Sequence, residues 1–165
     1  MGETKLAGNP VKLSGDFPSN GSTVDNFCAL KQDLSSFSMD EYTGKRKILN
    51  IFPSIDTDVC ATSVRTFNQS AADLENTVVF CLSLDLPFAQ KRFCGAEGIE
   101  RVVTGSLFRS PDVLESWGLL IEDGPLAGLS ARAVIVLDEN NTVLHAQLVD
   151  DITSEPDYEA ALAVL

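Results

Sequence analysis

The chain has 165 residues, a formal net charge of −12, 44% hydrophobic residues and 22% charged residues. That length fits one domain, spanning 1–165, with a real hydrophobic core. The negative charge argues against nucleic acid or an anionic membrane surface as a partner, since both are polyanions. No apolar run approaches the length of a membrane span. The opening Met-Gly-Glu-Thr-Lys-Leu has no signal-peptide core, so the expected location is the cytoplasm.

In chain order, Thr4–Leu6 and Val11–Leu13 flank Gly8-Asn9-Pro10 and read as a small hairpin. Asn26–Leu30, which contains Cys28, is a possible strand. Lys47–Phe52 is a short apolar run with the mark of a buried strand, stopped by Pro53. Val64, Phe67, Ala71 and Leu74 recur at helical spacing, which predicts a helix over Cys60–Leu74. Thr77–Ser83 reads as a strand covered on both faces. Pro87 suits the first turn of a helix running to about Cys94, with Gly95 at its end.

Arg101–Thr104 is a short strand candidate. Ser110-Pro111 opens a further helix that Gly118 closes. Ala131–Leu137 and Thr142–Val149 form a hairpin across Asp138-Glu-Asn-Asn141, and the last helix is expected over Pro156–Leu165. Crossover helices require the strands around Cys60 to be parallel and central. The order βαβαβαββα is that of a thioredoxin-like α/β fold, a central mixed sheet flanked by helices, with an N-terminal β-hairpin added.

Four cysteines, Cys28, Cys60, Cys81 and Cys94, occur without a Cys-x-x-Cys pair, and His145 is the only histidine. A zinc site of the usual spacing and a Cys-His or Ser-His dyad are therefore disfavoured. In a reducing compartment, catalytic or transient disulfides are favoured over permanent ones. Cys60 stands apart because it follows a strand tip and opens a helix, where unpaired N–H groups favour a thiolate, the reactive form of cysteine. Taken alone, the spacing leaves a plainer reading open, with Thr57 a helix cap and Cys60 a small core residue.

The signature Pro53-x-x-x-Thr57-x-x-Cys60 resembles the active-site motif of the peroxiredoxins. Asn50-Ile-Phe-Pro-Ser-Ile-Asp-Thr57 and Phe88-Ala-Gln-Lys-Arg-Phe-Cys94-Gly-Ala-Glu97 are similar to the thiol peroxidase subfamily. The resemblance runs from Gly8-Asn9-Pro10 to Pro156-Asp-Tyr-Glu-Ala-Ala161. It implies an atypical two-cysteine, thioredoxin-dependent peroxidase for hydrogen peroxide and organic hydroperoxides. Cys60 would be the peroxidatic thiol and Cys94 the resolving one, joined in a transient intramolecular disulfide that thioredoxin reduces. No metal or organic cofactor is needed. A homodimer and a preference for organic hydroperoxides are implied by the resemblance alone.

Arg132 opens an otherwise apolar strand, an odd place for a charge without a partner. Members of the resembled family carry such an arginine beside the reactive thiolate; a strand-end arginine in solvent is the alternative. A Thr57 hydroxyl can donate to the thiolate and accept from a peroxide O–H, and Pro53 would shield the sulfur from water. Cys94, at a helix end before Gly95, is expected in an exposable and easily unwound position. Cys81 reads as inert core packing; Cys28 reads similarly, with an edge position of its strand as the open alternative.

Asp58 departs from the family pattern. It would oppose the thiolate if it faced the sulfur, or cap the helix and face solvent; capping is the preferred reading. A peroxide sensor or relay using the same Cys60, and an inactive thioredoxin-like binding module, are the readings from other classes.

Overall fold

The computed structural model describes residues 2–165. Its elements are β1 (Glu3–Leu6), β2 (Asn9–Lys12), β3 (Cys28–Leu30), β4 (Ser36–Ser38), β5 (Arg46–Ile51), α1 (Asp58–Ala71), β6 (Thr77–Ser83), α2 (Pro87–Glu97), β7 (Val103–Ser106), α3 (Asp112–Ser116), β8 (Ala133–Leu137), β9 (Val143–Leu148) and α4 (Tyr158–Ala163). A mixed sheet runs β4-β3-β7-β6-β5-β8-β9, and β1-β2 form a separate hairpin. β5 is an interior strand beside the middle one, parallel to β6 and antiparallel to β8. The strand leading to Cys60 is therefore central, as the crossover connection demands.

The apolar runs of β5, β6 and β8 serve two cores at once, because successive residues of a strand point to opposite faces. Leu49, Ile51, Phe80, Leu82, Ala133, Ile135 and Leu137 pack on one side, with Phe27, Phe37 and Trp117. Ile48, Val79, Cys81, Val134 and Val136 pack on the other, against Val64 and Phe67 of α1. Cys60 and Cys94 lie in this second core. Phe80 anchors the first, with the rings of Phe27 and Tyr42 edge-on to it at centroid distances of 5.4 and 5.0 Å.

The N-terminal hairpin turns at Ala7 and Gly8, both left-handed (φ 49° and 86°), the backbone that a tight two-residue hairpin turn requires. Asn9 and Pro10, expected in the turn, belong instead to β2, where Pro10 lies opposite Lys5. The hairpin docks on the segment after β9. Thr4 Oγ1 donates to Val149 O (2.9 Å), and Ile152 N donates to Lys5 O (2.8 Å). The Asp151 carboxylate accepts from Gly8 N and Ala7 N. Hydrogen bonds from Thr153, then those from Gly8 and Ala7, hold this carboxyl well below the usual carboxylate range.

Several boundaries differ from expectation. α1 begins two residues earlier and ends at Ala71 rather than Leu74. α2 continues through Gly95 and stops at Gly98, which alone of the two glycines takes the left-handed conformation that ends a helix. The strand expected over Arg101–Thr104 starts two residues later, and the one over Asn26–Leu30 is only Cys28–Leu30. α4 is confined to Tyr158–Ala163, capped by Asp157, whose carboxylate accepts from Ala160 N. β4 pairs with β3 at the sheet edge and was not anticipated, since three residues carry no periodicity. No helix of the described residues is long and apolar enough to cross a membrane.

Gly105 of β7 sits where the first core leaves no room. A Cβ there would stand 2.7 Å from Leu82 Cδ2 and 3.0 Å from Ala29 Cβ. Overfilling a close-packed core costs about 1–3 kcal/mol, so Gly105→Ala should lower the urea midpoint by that equivalent. An unchanged midpoint would show the packing here to be loose.

Candidate active site

The site grows from the end of β5. Phe52 N still bonds Leu82 O (3.2 Å), continuing the ladder, but Pro53 has no N–H to follow it. The chain turns away through Ser54–Asp56 and enters α1 with Thr57 in extended backbone (φ −102°, ψ 148°) as the N-cap. The helical hydrogen bonds begin with Ala61 N to Thr57 O (2.9 Å), so the N–H groups of the opening turn leave a partial positive charge beside Cys60. Cys60 is fully buried.

Arg132, immediately before β8, is 2% exposed. Its Nη2 donates to Cys60 Sγ at 3.1 Å, and its Nε donates to Ile152 O at 2.9 Å. Nη1 is buried without a hydrogen-bond partner among the described residues. A guanidinium keeps its charge in such a place, and the Cys60 sulfur is the side-chain acceptor that it meets. The arginine, expected beside the thiol or in solvent, is thus against the sulfur.

A cavity of about 320 Å³ opens beside Arg132. Pro53, Thr57 and Arg132 line it, and Leu6, Val59, Leu126, Leu129 and Ile152 make its apolar walls. Pro53 is buried, as a shield requires. The Thr57 hydroxyl departs from expectation: Oγ1 donates to Ser54 O (3.1 Å), not to the sulfur. Its oxygen remains at the cavity wall, where it can accept or re-aim. Asp58 is not the cap. It is the first helical residue, exposed at the cavity rim, where an acidic group suits the helix start.

Beneath Cys60, Ser63 Oγ donates to Cys60 O (2.8 Å), and Asn50 Nδ2 donates to Ser63 Oγ (3.1 Å). Asn50 Nδ2 also points at Cys81 Sγ (3.8 Å). Burial pushes the Cys81 thiol up to about 12, against the smaller opposing pull of Asn50.

Cys94 is buried (5% exposed) one turn inside α2, not at an exposed helix end; burial raises its thiol too, and a contact with Gln32 opposes this. Cys28, expected in the core, is exposed on β3. All four thiols are free.

The reading of the sequence missed Asp85. Its carboxylate accepts from Ser54 Oγ (2.7 Å), Ile55 N (2.7 Å) and Ser83 Oγ (2.6 Å), binding the turn before Cys60. The available signal was a polar Ser83-x-Asp85 pair directly after an apolar strand, at the carboxyl end of the sheet where α/β sites gather.

Two outcomes are expected. Removing the charge in Arg132→Met should slow peroxide reduction on the order of 10²-fold or more at a pH where the thiol is ionised in both proteins, because a charge-assisted contact in a dry site is lost. Equal rates there would confine Arg132 to ionisation or to no role. With the Cys81 proton held up to a pH of about 12, iodoacetamide at pH 8 should alkylate exposed Cys28 and leave Cys81 untouched until the protein is unfolded. Labelling of native Cys81 at the Cys28 rate would contradict that environment.

The profile of the Redoxin family matches residues 9–162. Over 165 residues the chain is 52% identical to the thiol peroxidase of Corynebacterium glutamicum, covering 100% of this chain and 99% of that protein. A crystal structure of a peroxiredoxin-like protein from Aquifex aeolicus superposes with a TM-score of 0.92 at 38% identity, covering 98% of this chain and 95% of the other. The thiol peroxidase from Chromobacterium violaceum shares the fold, with a TM-score of 0.87 at 20% identity over 98% of this chain and 94% of its own. With the expected mixed sheet and flanking helices in place, the chain belongs to the redoxin family and, within it, to the thiol peroxidases of the peroxiredoxin group.

Proposed function

We propose that the chain is a thiol-dependent peroxidase, one thioredoxin-like peroxiredoxin domain over residues 1–165, with Cys60 as the attacking sulfur. The observation that carries this reading is the buried Arg132 Nη2–Cys60 Sγ hydrogen bond, beside an Nη1 that has no partner among the described residues. One nitrogen serves the sulfur, and the other is free for a peroxide oxygen. The thiolate attacks the terminal oxygen of R–O–O–H. The O–O bond breaks, the OH stays on sulfur as sulfenic acid, and RO⁻ takes a proton from solvent and leaves as the alcohol, or as water from hydrogen peroxide. Arg132 and the α1 N-terminus face the oxygen on which charge develops. The Leu6, Leu126, Leu129 and Ile152 walls suit the apolar tail of an organic hydroperoxide. No metal or organic cofactor takes part.

Cys94 then attacks the sulfenic sulfur, a disulfide forms and water leaves. A thioredoxin-type dithiol reduces the disulfide by exchange. The reduced fold holds the two cysteines on separate helices. Arg65 pairs with Glu97 through Nη2 (2.9 Å) and Nε (3.2 Å) and lies over the Phe93 ring, while Arg92 pairs with Asp56. These exposed ties are individually weak. The last turn of α2, with Gly95 inside it and Gly98 at its end, is a poorly supported helix. Unwinding it releases Cys94. A homodimer fits the exposed Leu86, Phe88 and Phe108, which follow β6 and β7 at the same end of the sheet as the Cys60 turn. A reducing cytoplasm suits the free thiols.

Cys60→Ser should abolish thioredoxin-coupled turnover of cumene hydroperoxide with an unchanged circular dichroism spectrum. One equivalent of peroxide should give an intramolecular Cys60–Cys94 disulfide on peptide mapping, monomeric on a non-reducing gel, and Cys94→Ser should stop at sulfenic acid and then overoxidise. Turnover surviving in Cys60→Ser, or a Cys60–Cys81 link, would refute the assignment. A lasting mixed disulfide with a partner instead of turnover would mean a relay.

A further inference from the structure

We propose that Asp85 is a positioning residue for the reaction of Cys60, and that it joins the Cys60 turn to the helix that carries Cys94. The proposal rests on Cys60 being the peroxide-reducing thiol. Asp85 makes no hydrogen bond to Cys60 or Arg132; it acts through the turn that precedes Cys60. Oδ1 accepts from Ser54 Oγ, and Oδ2 accepts from Ile55 N and Ser83 Oγ. These bonds hold the two residues between Pro53 and Asp56.

Ser54 passes the constraint on. Its carbonyl accepts from both Thr57 N (3.2 Å) and Thr57 Oγ1 (3.1 Å), and its Oγ accepts from Asp56 N (3.2 Å). Thr57 is the N-cap whose own carbonyl receives the first helical bond. The orientation of the turn that carries Cys60 is thus fixed by a carboxylate on the neighbouring strand end.

The link from Asp85 to α2 runs through Ser83. Ser83 Oγ accepts from Gln90 Nε2 (3.3 Å), which also donates to Gly105 O (3.2 Å). Gln90 is buried and stands one helical turn before Cys94. Ser106 Oγ donates to the Asp85 carbonyl. One residue therefore ties the end of β7, the start of α2 and the Cys60 turn together. A carboxylate suits this place because all three groups aimed at its oxygens are donors. Alanine removes every acceptor; asparagine keeps one and turns an N–H₂ toward the others.

Loss of this hold has two consequences of opposite sign. A peroxide must meet the sulfur, Arg132 and the helix start in one geometry, and small displacements there are costly. A simple alkylating agent needs only access to a sulfur that is otherwise fully buried.

The test measures second-order rate constants of Cys60 with cumene hydroperoxide and with iodoacetamide in wild type, Asp85→Ala, Asp85→Asn and Ser54→Ala. Cys28 is replaced by Ser throughout so that its exposed thiol does not contribute. In Asp85→Ala the peroxide rate should fall about tenfold to hundredfold while alkylation of Cys60 rises. Asp85→Asn and Ser54→Ala should fall between. If Asp85→Ala fails to fold by circular dichroism, the other two variants still report the ratio of the two rates.

Folded variants with the wild-type ratio would overturn the proposal, as would a parallel fall in both rates. Failure of wild-type Cys60 to react with peroxide would instead overturn the assignment of function, so the two failures are separable.

Discussion

A guanidinium buried at 2% exposure is the constraint on which the site depends. Arg132 cannot shed its charge, so the fold must supply acceptors. It supplies two, Cys60 Sγ and the Ile152 carbonyl. The first makes the sulfur the electrical partner of a cation held out of water, where the attraction is far stronger than at a surface. The second anchors the arginine to the segment after β9. That segment is itself held by the N-terminal hairpin, through Lys5 O, Thr4 Oγ1 and the Asp151 carboxylate. The hairpin is therefore more than an appendage. It fixes the carbonyl that fixes the arginine, and its Leu6 forms part of the cavity wall.

Environment, not chemistry, separates the four cysteines. Cys81 stands mid-strand between sheet and helix, where burial keeps its proton in place. Cys28 lies in the open on a short outer strand. Cys94 is buried in a helix with an internal glycine and a left-handed end. Cys60 alone combines a helix start with a cation. Cys60 and Cys94 share a core on the same side of the sheet. A disulfide has strict limits on Cα separation, which is the geometric condition that the proposed Cys60–Cys94 bond has to meet.

Much of this was legible in the residues. β6 covers Thr77–Ser83 as read, because an apolar run bounded by turn residues leaves little choice. The strand–turn–helix around Cys60 was equally plain, since Pro53 ends one pattern and Val64 and Phe67 begin another. Arg132 was marked by being a charge among Ala133, Val134 and Ile135.

What escaped was set by local backbone geometry and by contacts that no periodic pattern encodes. Gly95 looked like a helix end, but nothing forces it left-handed, and Gly98 takes that role. The Thr57 hydroxyl found a nearer acceptor in Ser54 O, and Thr57 rather than Asp58 became the cap. Cys28 is exposed because it points to the opposite face of β3 from buried Ala29, and three residues are too few to show which face is covered. The bonds of Asp85 to Ser54 and Ile55 join positions 31 and 30 residues apart; the parallel pairing of β5 and β6 brings them together.

The most direct measurement is a single turnover of the reduced, folded protein with one equivalent of cumene hydroperoxide in the presence of dimedone, followed by mass spectrometry of the peptides. If the buried Arg132–Cys60 pair is the reacting centre, peroxide is consumed stoichiometrically and the dimedone adduct falls on Cys60, alongside disulfide that escaped capture. Peroxide left unconsumed while the protein is folded, or an adduct on Cys28 instead, would contradict it.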